Sequence, residues 1–327
     1  MINKIIIVGG GSAGWMTAAT LSKFCSEKEI TLIESPNIPT VGVGESTLGQ
    51  INQWLSLMGI KDEDFMKHCN ATYKLSIRFE NFGGLGDGGF HYPFGPAYIK
   101  ENKAQLNDWY FKKIIYPHTH NMDYAECIFP QMAFVGQNRL SDKPNIVDGD
   151  WTFQNDVAYH FDATLFAHWL KDSICIPNKV KHIQEEIETV EANYQDGVQS
   201  LNKKYKADLY IDCTGFKSLL LGKTLKEPFE KFDYLPNNSA WATKVPYRSV
   251  KNELKNYTNC TAMKNGWIWT IPLWDRIGTG YVYSDKYVSD NDALEEFKYW
   301  LGNPSLMFRP EPVFFNDETG KHNPKWP

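Results

Sequence analysis

The chain of 327 residues has no excess of basic side chains, since 34 Lys and Arg stand against 39 Asp and Glu, a net charge of −5. Such a chain offers no positive field to nucleic acid or to an anionic membrane, so we expect neither partner. It also has no apolar run approaching the ~20 residues of a membrane span. Because the N-terminus enters an apolar strand at once, we expect no signal peptide and a cytoplasmic protein.

Closely spaced metal-ligating residues are missing as well. The six cysteines are far apart with no Cys-x-x-Cys pair, and the eight histidines form no His-Glu-x-x-His. We therefore expect reduced thiols and no bound metal. The alternation of His118 and His120 would place two imidazoles on one strand face, which is the weaker alternative.

What the sequence does contain, near its start, is a dinucleotide-binding pattern. The β-branched run at residues 5–8 predicts a buried parallel strand, and a helical pattern follows it. Between them, Gly9, Gly11 and Gly14 fit Gly-x-Gly-x-x-Gly, which permits a tight turn and close approach of a pyrophosphate to the helix N-terminus. Glu34 ends the next strand about 20 residues later, where it would accept hydrogen bonds from the adenosine ribose. The alternative for Glu34 is a surface carboxylate.

A second Gly-x-Gly-x-x-Gly, at residues 84–89, lacks that context. Phe90-His91-Tyr92-Pro93 follows it, and a proline without helical periodicity denies these glycines a phosphate-binding helix. We interpret residues 84–89 as a mobile loop. Only one dinucleotide site is therefore expected, with no separate nicotinamide domain.

Aromatic residues are abundant, at 14% of the chain with 11 Trp. In the segment 265–273, alternation predicts a strand with Trp267, Trp269 and Ile271 on one face, and Pro272 should end the ladder or mark an edge. Taken alone, the segment is most simply an aromatic core strand. Two tryptophans on one face also suit a large flat surface that has to be filled or shielded.

Four segments carry a further signal through their order in the chain. They are the glycine turn at residues 9–15, Val41-Gly42-Val43-Gly44-Glu45-Ser46-Thr47, the segment 207–220 with Asp212-Cys213-Thr214-Gly215, and the Trp-x-Trp-x-Ile-Pro strand. Together they resemble the flavin-dependent halogenases, the class that includes the tryptophan halogenases, over essentially the whole chain. The resemblance implies an α/β fold, with an FAD-binding Rossmann-like domain of the flavin monooxygenase type and a mixed α/β substrate module.

The same resemblance implies how the flavin is bound and used. To the three glycines and Glu34 it adds as flavin contacts Ser12, Ala13, Val43, Gly44, Glu45, Thr214 and Gly215. FAD would act as FADH2, together with O2 and a halide ion. Because no nicotinamide domain is visible, a separate flavin reductase would supply the reduced cofactor.

Lys74 is the candidate catalytic residue, because halogenases carry their lysine in a segment very similar to residues 69–79 here. In such enzymes reduced flavin and O2 convert halide to hypohalous acid, a small and promiscuous oxidant. A buried amine can hold this acid by hydrogen bonding, or become a haloamine when neutral, and deliver the halogen to one ring carbon by proximity. The alternative is a surface lysine on a strand.

Four aromatic residues acquire roles from the resemblance. Trp267 and Trp269 would wall the flavin from a small aromatic substrate, indole- or phenol-like. Phe94 would stack on the substrate ring. Tyr92 stands where tryptophan halogenases often have a histidine, which weakens the case for free tryptophan as the substrate. Tyr92 and Phe94 could equally be core residues.

The predicted domain organisation is discontinuous. Residues 1–50 and 150–225 would form the FAD-binding module, and residues 51–149 and 226–327 the substrate-side module. The family continues past this point with a flavin- and halide-binding turn, a glutamate and a helical lobe. We therefore expect the chain to be part of a longer protein and, made alone, to be poorly soluble or inactive.

Local patterns complete the expected FAD-binding module. A short strand and a helix should cover residues 158–170, because apolar residues recur there at helical spacing. Alternation from residue 183 to residue 205 predicts an antiparallel meander, and the apolar residues 209–211 predict another buried strand.

Two other functions stay open beside the halogenase. A flavin-dependent monooxygenase or oxidoreductase is favoured if Lys74 proves dispensable. A truncated, non-catalytic flavin-binding protein is favoured by the missing C-terminal features. Halide-dependent product formation separates the three, and a homo-oligomer stays open in each case.

Overall fold

The computed structural model of the protein describes residues 2–38, 42–84, 88–97, 106–120, 122–140, 152, 156–193, 195–230, 234–302 and 311–314. The strands are β1 Lys4–Val8, β2 Glu29–Glu34, β3 Thr72–Lys74, β4 Ser76–Glu80, β5 Gly89–Pro93, β6 Ala158–His160, β7 Lys181–Gln184, β8 Val190–Asn193, β9 Gly197–Leu201, β10 Leu209–Asp212, β11 Ser239–Val245, β12 Tyr257–Met263, β13 Gly266–Pro272, β14 Ile277–Tyr283 and β15 Glu311–Phe314. The helices are α1 Ser12–Phe24, α2 Gln50–Met58, α3 Asp62–Phe65, α4 Leu106–Ile115, α5 Met122–Ile128, α6 Met132–Gln137, α7 Ala163–Leu170, α8 Val250–Glu253 and α9 Asp290–Trp300.

A four-stranded parallel sheet, in the order β10-β1-β2-β7, carries the predicted nucleotide site. Its β1 and β2 are joined through α1, the strand-helix-strand unit that the opening sequence predicts. Trp15 of α1 is fully buried with Leu32 of β2 and Phe166 of α7 in one apolar cluster. Burial of these large side chains holds α1 on the sheet and α7 against α1.

A larger sheet of seven strands, in the order β15-β11-β14-β13-β12-β4-β5, lies on the predicted substrate side. Its neighbours are antiparallel except for β12 and β4, which run parallel. One face packs on α9, where Ile268, Tyr281 and Phe297 are fully buried together. The strands β3 and β6 form a small antiparallel pair of their own.

Some local predictions were wrong. The apolar run 209–211 was expected to form a buried strand. It forms β10 at the edge of the parallel sheet, where Leu209 is exposed. The expected meander is divided, since β7 is a parallel edge strand and only β8 and β9 form an antiparallel hairpin. His118 and His120 lie in a turn and loop after α4, not on a strand.

Other predictions keep that status. Of the second glycine motif, residues 85–87 lie outside the described residues, and a strand, β5, follows it in place of a helix. The parallel sheet draws its strands from residues 4–34 and 181–212, and the proposed boundaries at residues 50, 150 and 225 stay predictions. No helix in the described ranges has the length and apolar character of a membrane span.

Candidate functional site

The glycine turn after β1 lies at the carboxyl edge of the parallel sheet. Gly9 has a φ of +112°, and a Cβ there would overlap the carbonyl oxygen of Cys213, just after β10. A Cβ on Gly14 would overlap the carbonyl oxygen of Gly9. Both positions therefore need glycine for the strands and α1 to come this close.

The N-terminus of α1 opens from this turn without a side-chain cap. Gly11 precedes the helix in an extended conformation, and the first turn holds no acidic residue. Ala13 is exposed there, while the Ser12 hydroxyl donates to the carbonyl of Ala163 at 3.1 Å. The N–H groups of a 13-residue helix with no cap attract an anion, so the turn fits the diphosphate of a dinucleotide.

Glu34 lies beside the glycine turn at the end of β2. Its Oε1 is 2.6 Å from Nε2 of His182 on β7, and its carboxylate occupies the space that a Cβ on Gly10 would need. This contact holds Glu34 along the turn, which suits a carboxylate that has to reach a ribose. His182 is not among the predicted site residues, because the pairing of β7 with β2 is not visible in the sequence.

The turn after β10 forms the third side of the candidate flavin site. Thr214 donates its N–H and its hydroxyl to Oδ1 of Asp212, at 3.0 and 2.6 Å, and Leu220 donates its N–H to Oδ2 at 2.7 Å. Although burial opposes ionisation, these hydrogen bonds hold the pKa of the Asp212 carboxyl below its usual range. Gly215 follows in a left-handed conformation, exposed, with open space where its side chain would be.

Lys74, at the end of β3, is buried, with 2% of its surface exposed. Its Nζ donates to the carbonyl of Thr47 at 2.8 Å and lies 4.9 Å from the centroid of the Phe94 ring. Burial lowers the pKa of this amine to about 8. Among the described residues no carboxylate forms an ion pair with it, so a fraction of Lys74 is neutral near physiological pH. The alternative of a surface lysine is wrong.

A chain of hydroxyl groups and one imidazole lies next to Lys74. The Thr72 hydroxyl donates to the carbonyl of Pro272 at 2.6 Å, so it can only accept from Nδ1 of His160, 3.0 Å away. Nε2 of His160 is then an acceptor for the Thr258 hydroxyl at 2.9 Å, which in turn accepts from Ser46 at 2.8 Å. Burial, with Lys74 nearby, holds the pKa of His160 well below its usual range, consistent with this neutral form.

The two tryptophans of β13 share one sheet face, as predicted, with ring centroids 6.2 Å apart. Ile268 between them is buried on the opposite face. Trp269 lies over Gly280, where a Cβ would overlap its ring, and stands opposite Cys260 of β12. Burial raises the pKa of the Cys260 thiol to about 11, and the charge of nearby Lys74 acts against this shift. Pro272 ends β13 inside the sheet, not at an edge.

Phe94 and Tyr92 differ in exposure. Phe94 is buried against Lys74, whereas Tyr92 is 62% exposed, and their rings meet edge to face with centroids 6.4 Å apart. Tyr92 is therefore not a core residue, and the substrate-stacking role of Phe94 stays a prediction.

An ion cluster joins the 42–47 segment to the rest of the site. The guanidinium of Arg276, in the turn between β13 and β14, donates to both oxygens of Glu45 and, at 2.8 Å, to Asp162. Asp162 also caps α7, accepting from the N–H groups of Thr164 and Leu165. Glu45 was expected at the flavin, and that assignment stays a prediction beside the ion pair that the structure shows.

Comparison with known proteins assigns the family. The tryptophan halogenase family model matches residues 4–327. The chain belongs to the tryptophan halogenase family.

Individual relatives agree with this assignment. The chain is 35% identical over 326 residues to tryptophan 7-halogenase RebH of Lentzea aerocolonigenes, covering 94% of this chain and 60% of that protein. The apo structure of VirX1 is 45% identical with a TM-score of 0.89, covering 96% of this chain and 62% of that one. The tryptophan 6-halogenase SttH of Streptomyces toxytricini is 34% identical with a TM-score of 0.83, covering 95% and 62%. The chain therefore spans about 60% of the length of the curated tryptophan halogenases that it matches.

In this halogenase-family chain, the predicted residues fall into two groups. The glycines, Glu34, Thr214 and Gly215 meet at the edge of the parallel sheet, and Lys74 meets Phe94 beside β12 and β13. Ala163, the first residue of α7, accepts from Ser12 of the glycine turn, and Asp162, which caps α7, accepts from Arg276. In the 42–47 segment Val43 is half-buried and Gly44 is exposed.

Proposed function

We propose that this chain supports the FADH2- and O2-dependent halogenation of an aromatic, indole- or phenol-like substrate, with Lys74 delivering the halogen. The buried Lys74 amine carries the proposal. It has one carbonyl partner, Thr47, and an aromatic neighbour, Phe94, but no described carboxylate to neutralise it.

The cofactor site supports FAD on the parallel-sheet side. Gly9 and Gly14 let the chain turn closely, the N-terminus of α1 would hold the diphosphate, and Glu34 would hold the ribose. Bound reduced FAD, with O2, would supply the oxidising power that converts halide to hypohalous acid. A separate flavin reductase is the proposed source of reduced FAD.

Lys74 has two ways to direct the oxidant. Its protonated amine has N–H groups that can bind the oxygen of hypohalous acid, in addition to the bond to Thr47. Its neutral form can displace water from the acid, forming an N–halogen bond and releasing H2O, with the amine proton leaving in the water. At a pKa of about 8, roughly a tenth of the amine is neutral at pH 7.

The substrate class follows from the relatives and from the site. RebH and SttH are named as tryptophan halogenases, and this chain places Phe94 against Lys74, where an aromatic ring could stack and present one carbon. The exposed Tyr92 beside Phe94 would contact the part of the substrate farther from Lys74. An indole- or phenol-like ring therefore fits better than an aliphatic substrate.

The test uses the full protein with a flavin reductase, NADH and FAD, and a panel of indoles and phenols. Mass spectrometry should find a brominated product when bromide is present and none when it is left out. An oxygenated product formed equally without halide would instead establish the monooxygenase. Catalase should leave the yield unchanged, since halogenation by free peroxide is not the proposed route.

A further inference from the structure

The Arg276 cluster is the most heavily buried charge assembly that the described residues contain, and the proposed chemistry does not use it directly. Glu45 is 3% exposed, and both its oxygens accept from the guanidinium. The same guanidinium reaches Asp162 at 2.8 Å, and Lys244 lies 3.7 Å from Asp162. Two cations thus balance two carboxylates, which is what such burial requires.

Glu45 is tied by the backbone to the groups that cover Lys74. The N–H of Phe161 donates to the carbonyl of Glu45 at 2.9 Å, and the N–H of Thr47 donates to the carbonyl of Tyr159 at 2.9 Å. Two residues beyond Glu45, the carbonyl of Thr47 accepts from Nζ of Lys74. The position of this carbonyl therefore depends on how residues 45–47 are held, by Arg276 at Glu45 and by the hydrogen bonds between Thr47 and Tyr159 at the other end.

We propose that Arg276 is a positioning residue for Lys74, which it serves by clamping Glu45 and so fixing the Thr47 carbonyl over the amine. The inference rests on the proposed function for its consequence in catalysis, but not for the contact itself. An arginine suits the position because its planar fork can meet a carboxylate with two parallel bonds and still donate to a second one.

A glycine on the neighbouring strand supports this assignment. A Cβ at Gly278 would overlap Oε2 of Glu45, so β14 carries no side chain where the clamped carboxylate lies. A side chain there would push Glu45 off the sheet while leaving every charge in place.

The test measures the titration of the Lys74 amine. Besides the Thr47 carbonyl, this amine lies near the Phe94 ring and near two titratable groups, the Cys260 thiol and the buried His160. The pair Glu45→Gln with Arg276→Gln removes the clamp without leaving a lone buried charge. The free energy of unfolding is measured from pH 7 to pH 10 for two backgrounds, the unaltered protein and the unclamped double variant. Each background is measured once with Lys74 and once with Lys74→Met. Within each background the difference reports the titration of Lys74, because the other groups are shared and the coupled Cys260 thiol, with a pKa of about 11, titrates above this range.

We expect the pKa of Lys74 to rise from about 8 towards its ordinary value near 10.4 in the unclamped background, because water reaches the amine. Brominated product per O2 consumed should fall about a hundredfold, the scale of an ångström misplacement. Arg276→Lys should restore little of the low Lys74 pKa or of the product yield, because an ammonium cannot bridge both carboxylates. An unchanged Lys74 titration in the unclamped protein overturns the proposal, whatever happens to overall stability.

Lys244→Met is the matched control. It removes a cation from the same cluster at an exposed position that does not contact Glu45, so the Lys74 titration and the product yield should both stay as in the unaltered protein. If the unaltered protein forms no halogenated product, the proposed function fails, yet the titration still decides whether Arg276 positions Lys74.

Discussion

Replacing Lys74 with methionine should change how stability depends on pH. The folded protein holds this amine with a pKa of about 8, whereas the unfolded chain binds the proton up to about pH 10.4. Between these values the unfolded state binds more protons, so the unfolding free energy contributed by Lys74 rises with pH. Below pH 8 both states are protonated, and the buried charge simply destabilises the fold.

The magnitude follows from the size of the shift. One pKa unit corresponds to about 1.4 kcal/mol, so the shift amounts to about 3 kcal/mol in full, of which about 2 kcal/mol develops between pH 7 and pH 10. Lys74→Met removes the titration and keeps similar packing. The Thr47 carbonyl loses its donor in that variant at every pH, so this loss leaves the slope unaffected.

Urea unfolding at several pH values between 7 and 10 measures the effect. The difference between the unaltered protein and Lys74→Met should shift by about 2 kcal/mol in favour of the lysine over this range. Tyrosine titrations are common to both proteins and cancel, and the Cys260 thiol, which is coupled to Lys74, has a pKa of about 11, above this pH range. A difference that stays flat would show that Lys74 has an ordinary pKa and is hydrated, and the reasoning from its burial would fail.

Three further predictions follow from other parts of the site. Gly11→Val should block close approach of the diphosphate to α1 and abolish quenching of flavin fluorescence, and unchanged quenching would contradict the assignment. Asp212→Ala leaves the N–H groups of Thr214 and Leu220 without their acceptor, so unfolding should become easier by about 2 kcal/mol, and a change within error would refute this role. His160 should stay neutral with its proton on Nδ1 from pH 5 to pH 9 in nitrogen NMR, and an imidazolium signal at pH 6 would overturn the hydrogen-bond assignment.

The elements that the sequence predicted well depend on local pattern. The β-branched run of β1, the glycine turn and the helical spacing of α1 each follow from residues close together in the chain. The common face of Trp267 and Trp269 also follows, because side chains two apart on a strand share a side.

The features that the sequence could not predict depend on contacts between segments that are far apart in the chain. An apolar run does not reveal whether its strand is central, and β10 turned out to lie at an edge. The burial of Lys74 requires Thr47 and Phe94 to meet it from separate segments. Arg276 and Glu45 are 231 residues apart, so their ion pair could not be predicted from the segment around either residue.

Gly278 and Gly280 on β14 are a local signal in the sequence that points to this face of the sheet. Two glycines on one face of a strand indicate that something approaches closely there. In the structure Glu45 lies against Gly278 and Trp269 against Gly280. The spacing alone would have marked this face, though not which side chains occupy it.

The most direct test of the central claim compares Lys74→Met with the unaltered full protein in the presence of reductase, FAD, NADH, bromide and an indole substrate. Brominated product, flavin binding and oxygen uptake are measured together. We predict that the variant binds flavin and consumes oxygen normally but forms no brominated product, because the oxidant is made and not delivered. Near-normal brominated product from the folded variant would contradict the assignment of Lys74.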